Sequence, residues 1–283
     1  MIKNYLIIFG KILIVVFALI GLATTSVYIG MHWGVFNVRG SSVERDSFFK
    51  SAQKTSVKTT PCNDTSTVCD WDQTPEWNVV QAGLIKDKDI ITRVSHETGV
   101  PARLIISTVT PEQLRFFTSN RESFKKYFEP LKILGSLSKF SLGVSGIKQD
   151  TATAIENHLK DTHSAFYPGA DMANLIAYNP TDIHDTVLYD RLTDAHNHYY
   201  SYLYTALFLK EVQAQWNNAS LGDALTPGIS ITIFNTGFGN SNPNTNPIIG
   251  GSTITLGGKN YAFGELGTLI YNSDVLTDYF PKQ

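Results

Sequence analysis

The stretch GVPARLIISTVTPEQLRFF, residues 99–117, decides how the chain is read. Pro101 starts an apolar helix, ARLIISTV, and one carboxylate follows in strongly apolar company, Glu112. Such surroundings disfavour a charged side chain, and a carboxyl that keeps its proton near neutral pH can act as a general acid. The same residues carry a second signal. Thr110-Pro111-Glu112-Gln113 is a helix-start signature, with a Thr cap, Pro at the first position and Gln closing a capping box. Glu in a first turn also suits the helix dipole. The two readings coexist if a break at Pro111 sets Glu112 at a helix edge facing a cleft.

Working outward, residues 87–98 read as a helix with Ile90, Ile91 and Val94 on one face and Gly99 as its stop. Downstream, Ser119 and Glu122 form a capping-box pair ahead of Phe124, Tyr127 and Phe128. SLGVSGIKQ (141–149) reads as a loop, and Asp150 as the cap of TATAIENHLK. Residues 183–216 read as a long helix broken once, with Tyr199, Tyr200, Tyr202 and Tyr204 crowded into it. Thr226-Pro227 opens GISITIFN, which Gly237 ends. STITLGGKNYAF (252–263) is a hairpin signal centred on Gly257-Gly258, and a last helix is expected over 264–279. The fold class is therefore mainly α with one small β-hairpin near the C-terminus. No repeat and no dinucleotide, Walker, zinc-protease or EF-hand pattern occurs.

The 283 residues are 42% hydrophobic and 12% aromatic, enough for a sizeable core. Only 17% are charged and the net charge is −2, so no overall basic field exists to hold nucleic acid. Much of the apolar weight lies at the N-terminus. Residues 12–30 are uncharged, long enough as a helix to reach roughly 29 Å, about one hydrocarbon thickness. Lys3 and Lys11 precede the run, and Tyr28 and Trp33 stand where an interfacial belt would be. The expectation is a transmembrane anchor over 1–31, N-terminus inside, with the rest outside the cytoplasm. A cleaved signal, with the small residues Gly21 and Ala23 at −3 and −1 of the cut, is the alternative. Residues 32–80 are expected to be a membrane-proximal spacer, and 81–283 the working domain. In an exported chain the lone pair Cys62 and Cys69 reads as a disulfide closing a small loop.

GVPARLIISTVTPEQLRFF, then SLGVSGIKQDTA, then ISITIFNTG, in that order, resembles the lytic transglycosylases of the lysozyme-like superfamily. The resemblance spans roughly residues 81–283. It implies a lysozyme-like helical domain and matches Glu112 to the family's catalytic acid/base. Ser141 and Gly143 match the start of the second motif and Thr151-Ala152 its end. Phe234, Asn235 and Gly237 match the third, although Ala177-Tyr178-Asn179 is another copy of its first three residues. The implied reaction cleaves the N-acetylmuramic acid to N-acetylglucosamine bond of peptidoglycan. Protonated Glu112 would donate to the glycosidic oxygen, and the same residue would then deprotonate the muramic acid 6-hydroxyl, closing a 1,6-anhydro ring. Lysozyme-type hydrolysis is the other outcome open to a single acid.

The chain departs from the family pattern. Gln113 stands where Ser is usual, Gly146 replaces the motif Gln, Gln149 the motif Pro and Phe234 the motif Tyr. These departures leave open a second reading, a non-catalytic peptidoglycan-binding or scaffold protein of an envelope assembly. The expected glycan contacts are Gln113, Ser141, Gly143, Tyr199, Tyr200, Phe234, Asn235 and Gly237, the two tyrosines as stacking surfaces or as helix packing. His196 and His198 are two apart and unsuited to share a metal on one helix face. No metal and no cofactor is expected. The expected partners are peptidoglycan glycan strands and the membrane.

Overall fold

The computed structural model describes residues 69–118, 141–142, 144–194 and 196–282, with Lys11, Leu13, Phe17, Ala18, Gly21, Leu22, Thr25 and Ser26. Those N-terminal positions are helical and exposed. The rest of the expected anchor, Cys62, Gly143, the capping pair Ser119 and Glu122, and the side chain of Ser141 lie outside the described residues. Among the described residues no helix is long and apolar enough to cross a membrane.

The described elements run α1 (Pro75–Lys86), α2 (Lys88–Thr98), α3 (Ala102–Thr118), β1 (Ser141–Leu142), β2 (Ile147–Lys148), α4 (Gln149–Lys160), α5 (His184–Thr193), α6 (Tyr199–Asn218), α7 (Pro227–Thr236), β3 (Thr253–Leu256), β4 (Lys259–Ala262) and α8 (Phe263–Asn272). The mainly helical class is observed. The hairpin at Gly257-Gly258 pairs β3 with β4 from Thr253↔Ala262 to Leu256↔Lys259. Both glycines have positive φ, 56° and 78°, as a two-residue turn matching strand twist requires. The stretch read as a loop at 141–149 holds a second antiparallel pair, β1 with β2, two residues long.

Two helices form the centre. In α3 every residue from Ile105 to Leu114 is buried, and in α6 so is every residue from Ser201 to Leu209. A helix buried on all sides is a core element. Around α3 pack α1, α2, α6, α7, α8 and β3. This burial overrides the start signal at Thr110-Pro111, because α3 continues unbroken through Pro111. Thr110 does not cap; its Oγ1 donates to the Ile106 carbonyl at 2.7 Å. Proline has no N–H for the carbonyl four residues back, that of Ser107. Gly267 of α8 lies against that carbonyl, and a Cβ at 267 would come within 2.9 Å of it.

The working domain begins before residue 81. Trp71, Trp77 and Val80 are buried in the same core as Leu84, and the two indoles meet edge-on with centroids 4.9 Å apart. Cys69 is disulfide-bonded, and its N–H donates to the carbonyl of Gly257 at 2.9 Å. Residues 69–80 are thus packed domain, not spacer.

Other boundaries follow local chemistry. Gly99 ends α2 with its N–H on Ser95 O at 2.8 Å. Thr226 caps α7, its side chain accepting from Ile229 N. The break foreseen in 183–216 falls between α5 and α6. Asp150 is not the cap of α4 but stands in its first turn, which Gln149 opens. The last helix stops at Asn272, short of the expected 279. Buried Arg103 of α3 donates to carbonyls at the end of α8: Ile270 at 2.5 Å, Ser273 at 2.6 Å and Tyr271 at 3.1 Å. Carbonyls of a last helical turn lack intrahelical partners, so Arg103 fastens α8 to the helix that carries Glu112.

Candidate active site

Glu112 projects from the second half of α3 and is 3% exposed. It lines a pocket of about 70 Å³. Ile147, Lys148 and Thr151, at the junction of β2 and α4, form one wall. Phe234, Asn235 and Gly237, at the end of α7, form another, and Phe263 at the start of α8 closes a side. Thus Glu112, Phe234, Asn235 and Gly237 meet at one place, beside the segment that follows Ser141.

The surroundings of Glu112 are not wholly apolar, as the sequence suggested. Its Oε2 accepts a hydrogen bond from Arg115 Nη2 at 2.7 Å, one helical turn on. Arg115 Nη1 donates to Ser252 Oγ at 2.7 Å, and the guanidinium carbon lies 5.9 Å from the centroid of Phe263. Ser252 N–H in turn donates to Asn235 Oδ1 at 2.8 Å. A chain of hydrogen bonds therefore ties Glu112 on α3 to Asn235 on α7 through the loop before β3. The i,i+3 spacing of Glu112 and Arg115 is a helix-pair signal, legible once the helix is known to run through Pro111.

On the other side of the carboxylate lies Gly146, at φ 69°. A Cβ there would sit 2.6 to 2.7 Å from Cγ, Cδ and Oε1 of Glu112. Gly146 is the position at which the chain departs from the motif Gln. Phe234, the departure from the motif Tyr, packs edge-on against Phe208 with centroids 5.3 Å apart.

Three expected contacts lie elsewhere. Gln113 is fully buried and absent from the pocket wall, and its amide atoms find no hydrogen-bond partner among the described residues. One residue along a helix turns the side chain by about 100°, which carries Gln113 away from the pocket that Glu112 faces. Tyr199 is 8% exposed and donates from its hydroxyl to Glu97 Oε2 at 2.6 Å, with Arg93 over its ring. Tyr200 packs edge-on against Tyr199 and lies under Arg191. Both tyrosines serve helix packing and neither lines the pocket of Glu112. His198, at the start of α6, bonds through Nδ1 to Asp87 Oδ2 at 2.6 Å, and Tyr202 donates to the same oxygen at 2.9 Å. Among the described residues no group of three or more His, Cys, Asp and Glu is arranged to hold a metal ion.

Comparison of the chain with protein-family models, with curated proteins and with solved structures finds no match.

Proposed function

We propose that the chain is a membrane-anchored peptidoglycan lytic transglycosylase with a lysozyme-like helical domain, and that Glu112 is its general acid and base. The observation that carries this reading is the meeting of Glu112, Asn235 and the segment around Gly146 at one pocket. Those residues come from three separate stretches of sequence, the same three that carry the resemblance. In the proposed reaction, protonated Glu112 gives its proton to the glycosidic oxygen as the muramic acid C1–O bond breaks. The oxocarbenium-like sugar is stabilised by the dipoles lining the pocket. The resulting carboxylate then takes the proton of the muramic acid 6-hydroxyl while its oxygen bonds to C1. No water is consumed and Glu112 is returned protonated.

The test is release of muropeptides from purified peptidoglycan by the full chain and by Glu112→Gln. Released fragments with 1,6-anhydro ends are the expected product, and reducing ends would replace the reading with hydrolysis. Release by the folded Glu112→Gln protein would overturn the role of Glu112. The non-catalytic reading, a wall-binding or scaffold protein, is favoured by the Arg115 ion pair on Glu112 and by a pocket smaller than the roughly 300 Å³ at which ligand sites begin. It predicts sedimentation with peptidoglycan and no release of fragments.

A further inference from the structure

A second cavity, of about 350 Å³, opens beside α4. That volume lies within the roughly 300–1,000 Å³ of ordinary ligand pockets. Its wall is aliphatic, made by Leu159, Ala173, Ile176 and Ala177. Its polar end is built on Glu156, which is 1% exposed. Oε1 of Glu156 accepts from the hydroxyls of Tyr178 and Tyr204, both at 2.5 Å. Oε2 bonds to His184 Nε2 at 2.5 Å. Arg191 lies over the Tyr178 ring and donates to the carbonyls of Ile176 and Ala177 at 2.9 and 2.6 Å, which fixes the cavity wall.

An ionised carboxylate offers about four acceptor sites, and the described partners of Glu156 fill three. The fourth belongs to Oε2, and Lys160 Nζ stands 4.0 Å from that atom, too far for a hydrogen bond. An oxygen placed about 2.8 Å from both atoms would make an angle of about 90° between them, able to accept from Lys160 and donate to Glu156. A hydroxyl does both at once; a carboxylate cannot donate and an ammonium cannot accept. We propose that this cavity is a binding site for a neutral, hydroxyl-bearing ligand with an apolar face, a saccharide, whose hydroxyl bridges Lys160 and Glu156 while its C–H face lies on Leu159 and Ile176.

The cavity is separate from the pocket of Glu112. Thr151 of that pocket is on α4, and at about 100° per residue Glu156 lies about 140° and Lys160 about 180° around the helix from it. The inference therefore stands whether or not Glu112 is catalytic. It is tested on the full chain with labelled Ile, Leu and Ala methyl groups, titrated with di-N-acetylchitobiose and, separately, with hexanoate. Saturable shifts of the Leu159, Ala173 and Ile176 methyls by the disaccharide are expected. Lys160→Met, at an exposed position, is expected to weaken them about tenfold, as loss of one charged hydrogen bond does. Ile176→Trp fills the cavity and removes those of Leu159 and Ala173, and Glu112→Gln leaves all three unchanged. The proposal is overturned if the disaccharide moves only methyls beside Glu112 such as Ile147, if hexanoate alone binds, if neither probe shifts these methyls, or if Lys160→Met binds as tightly as the parent.

Discussion

The carboxyl group of Glu112 fills the space that a side chain at Gly146 would need. A Cβ built on Gly146 meets Cγ, Cδ and Oε1 of Glu112 at 2.6 to 2.7 Å, and the backbone there has a positive φ that favours glycine. Gly146→Ala is expected to displace Glu112 and to cost roughly 2 kcal/mol, of which about 1 kcal/mol is the left-handed backbone. If Glu112 performs the cleavage, glycan release falls much further than stability does. Parallel urea titrations and release assays measure the two losses.

Arg115 is the counter-charge of a nearly buried carboxylate. Arg115→Met is expected to destabilise the protein by about 3 kcal/mol, because it takes a counter-charge from a nearly buried carboxylate and a donor from Ser252 Oγ. Adding Glu112→Gln removes the negative charge that Arg115 offsets and is expected to recover most of that loss. A double variant as unstable as Arg115→Met alone, in urea denaturation, would show that the pair does not hold this region together.

His184 stands between two carboxylates, Glu156 Oε2 at 2.5 Å and Asp185 Oδ1 at 3.0 Å. Those bonds, Glu156 first, hold its imidazole above the usual 6.5. A value raised in the folded state gives stability that is fully present below pH 6.5 and lost as pH rises through the folded value. The urea midpoint of the parent should therefore exceed that of His184→Gln most at pH 5.5 to 6, with the gap narrowing on the alkaline side. A gap constant from about pH 5.5 to 9 would contradict the pairing.

Glu211 of α6 is wholly buried, and burial pushes its carboxyl up to about 10. Its Oε2 meets His158 Nδ1 at 2.7 Å, and burial holds that imidazole below its usual value. Both side chains are therefore neutral at pH 7. The unfolded chain ionises Glu211 above about 4.5, so stability is lost progressively from there to about 10. Glu211→Gln, which keeps shape and a donor for His158, is expected to stabilise the protein by up to about 3 kcal/mol at pH 7, and by nothing near pH 4. Thermal unfolding of both proteins across this range measures the difference.

Much of the helical plan was legible because it is written within single turns. Gly99 ends α2, Thr226-Pro227 opens α7, and Gly257-Gly258 turns the hairpin, each through bonds between residues a few positions apart. The candidate site was half legible. Glu112 stood out by its apolar neighbours, and Asn235 through the resemblance of its motif. Arg115 was hidden because the start signal at Thr110-Pro111 implied a break between helices, whereas α3 runs through it. Gln113, Tyr199 and Tyr200 stand away from the pocket of Glu112, a placement that their chemistry, which suits a glycan site and helix packing alike, does not reveal. The Glu156 cluster gave no signal, since its tyrosines and histidine come from positions 22 to 48 residues away.

By itself, the amino-acid sequence determined the helical class, the ends of α2 and α7 and the turn of the hairpin, because caps and glycine turns are satisfied by near neighbours. Tertiary structure decided that α3 stays whole through Pro111, since burial on every side outweighs the lost backbone bond. It also decided which carboxylates have partners. The contacts of Glu112 with Gly146 and of Glu156 with Tyr178, Tyr204 and His184 form only when helices pack, and no local spacing specifies them.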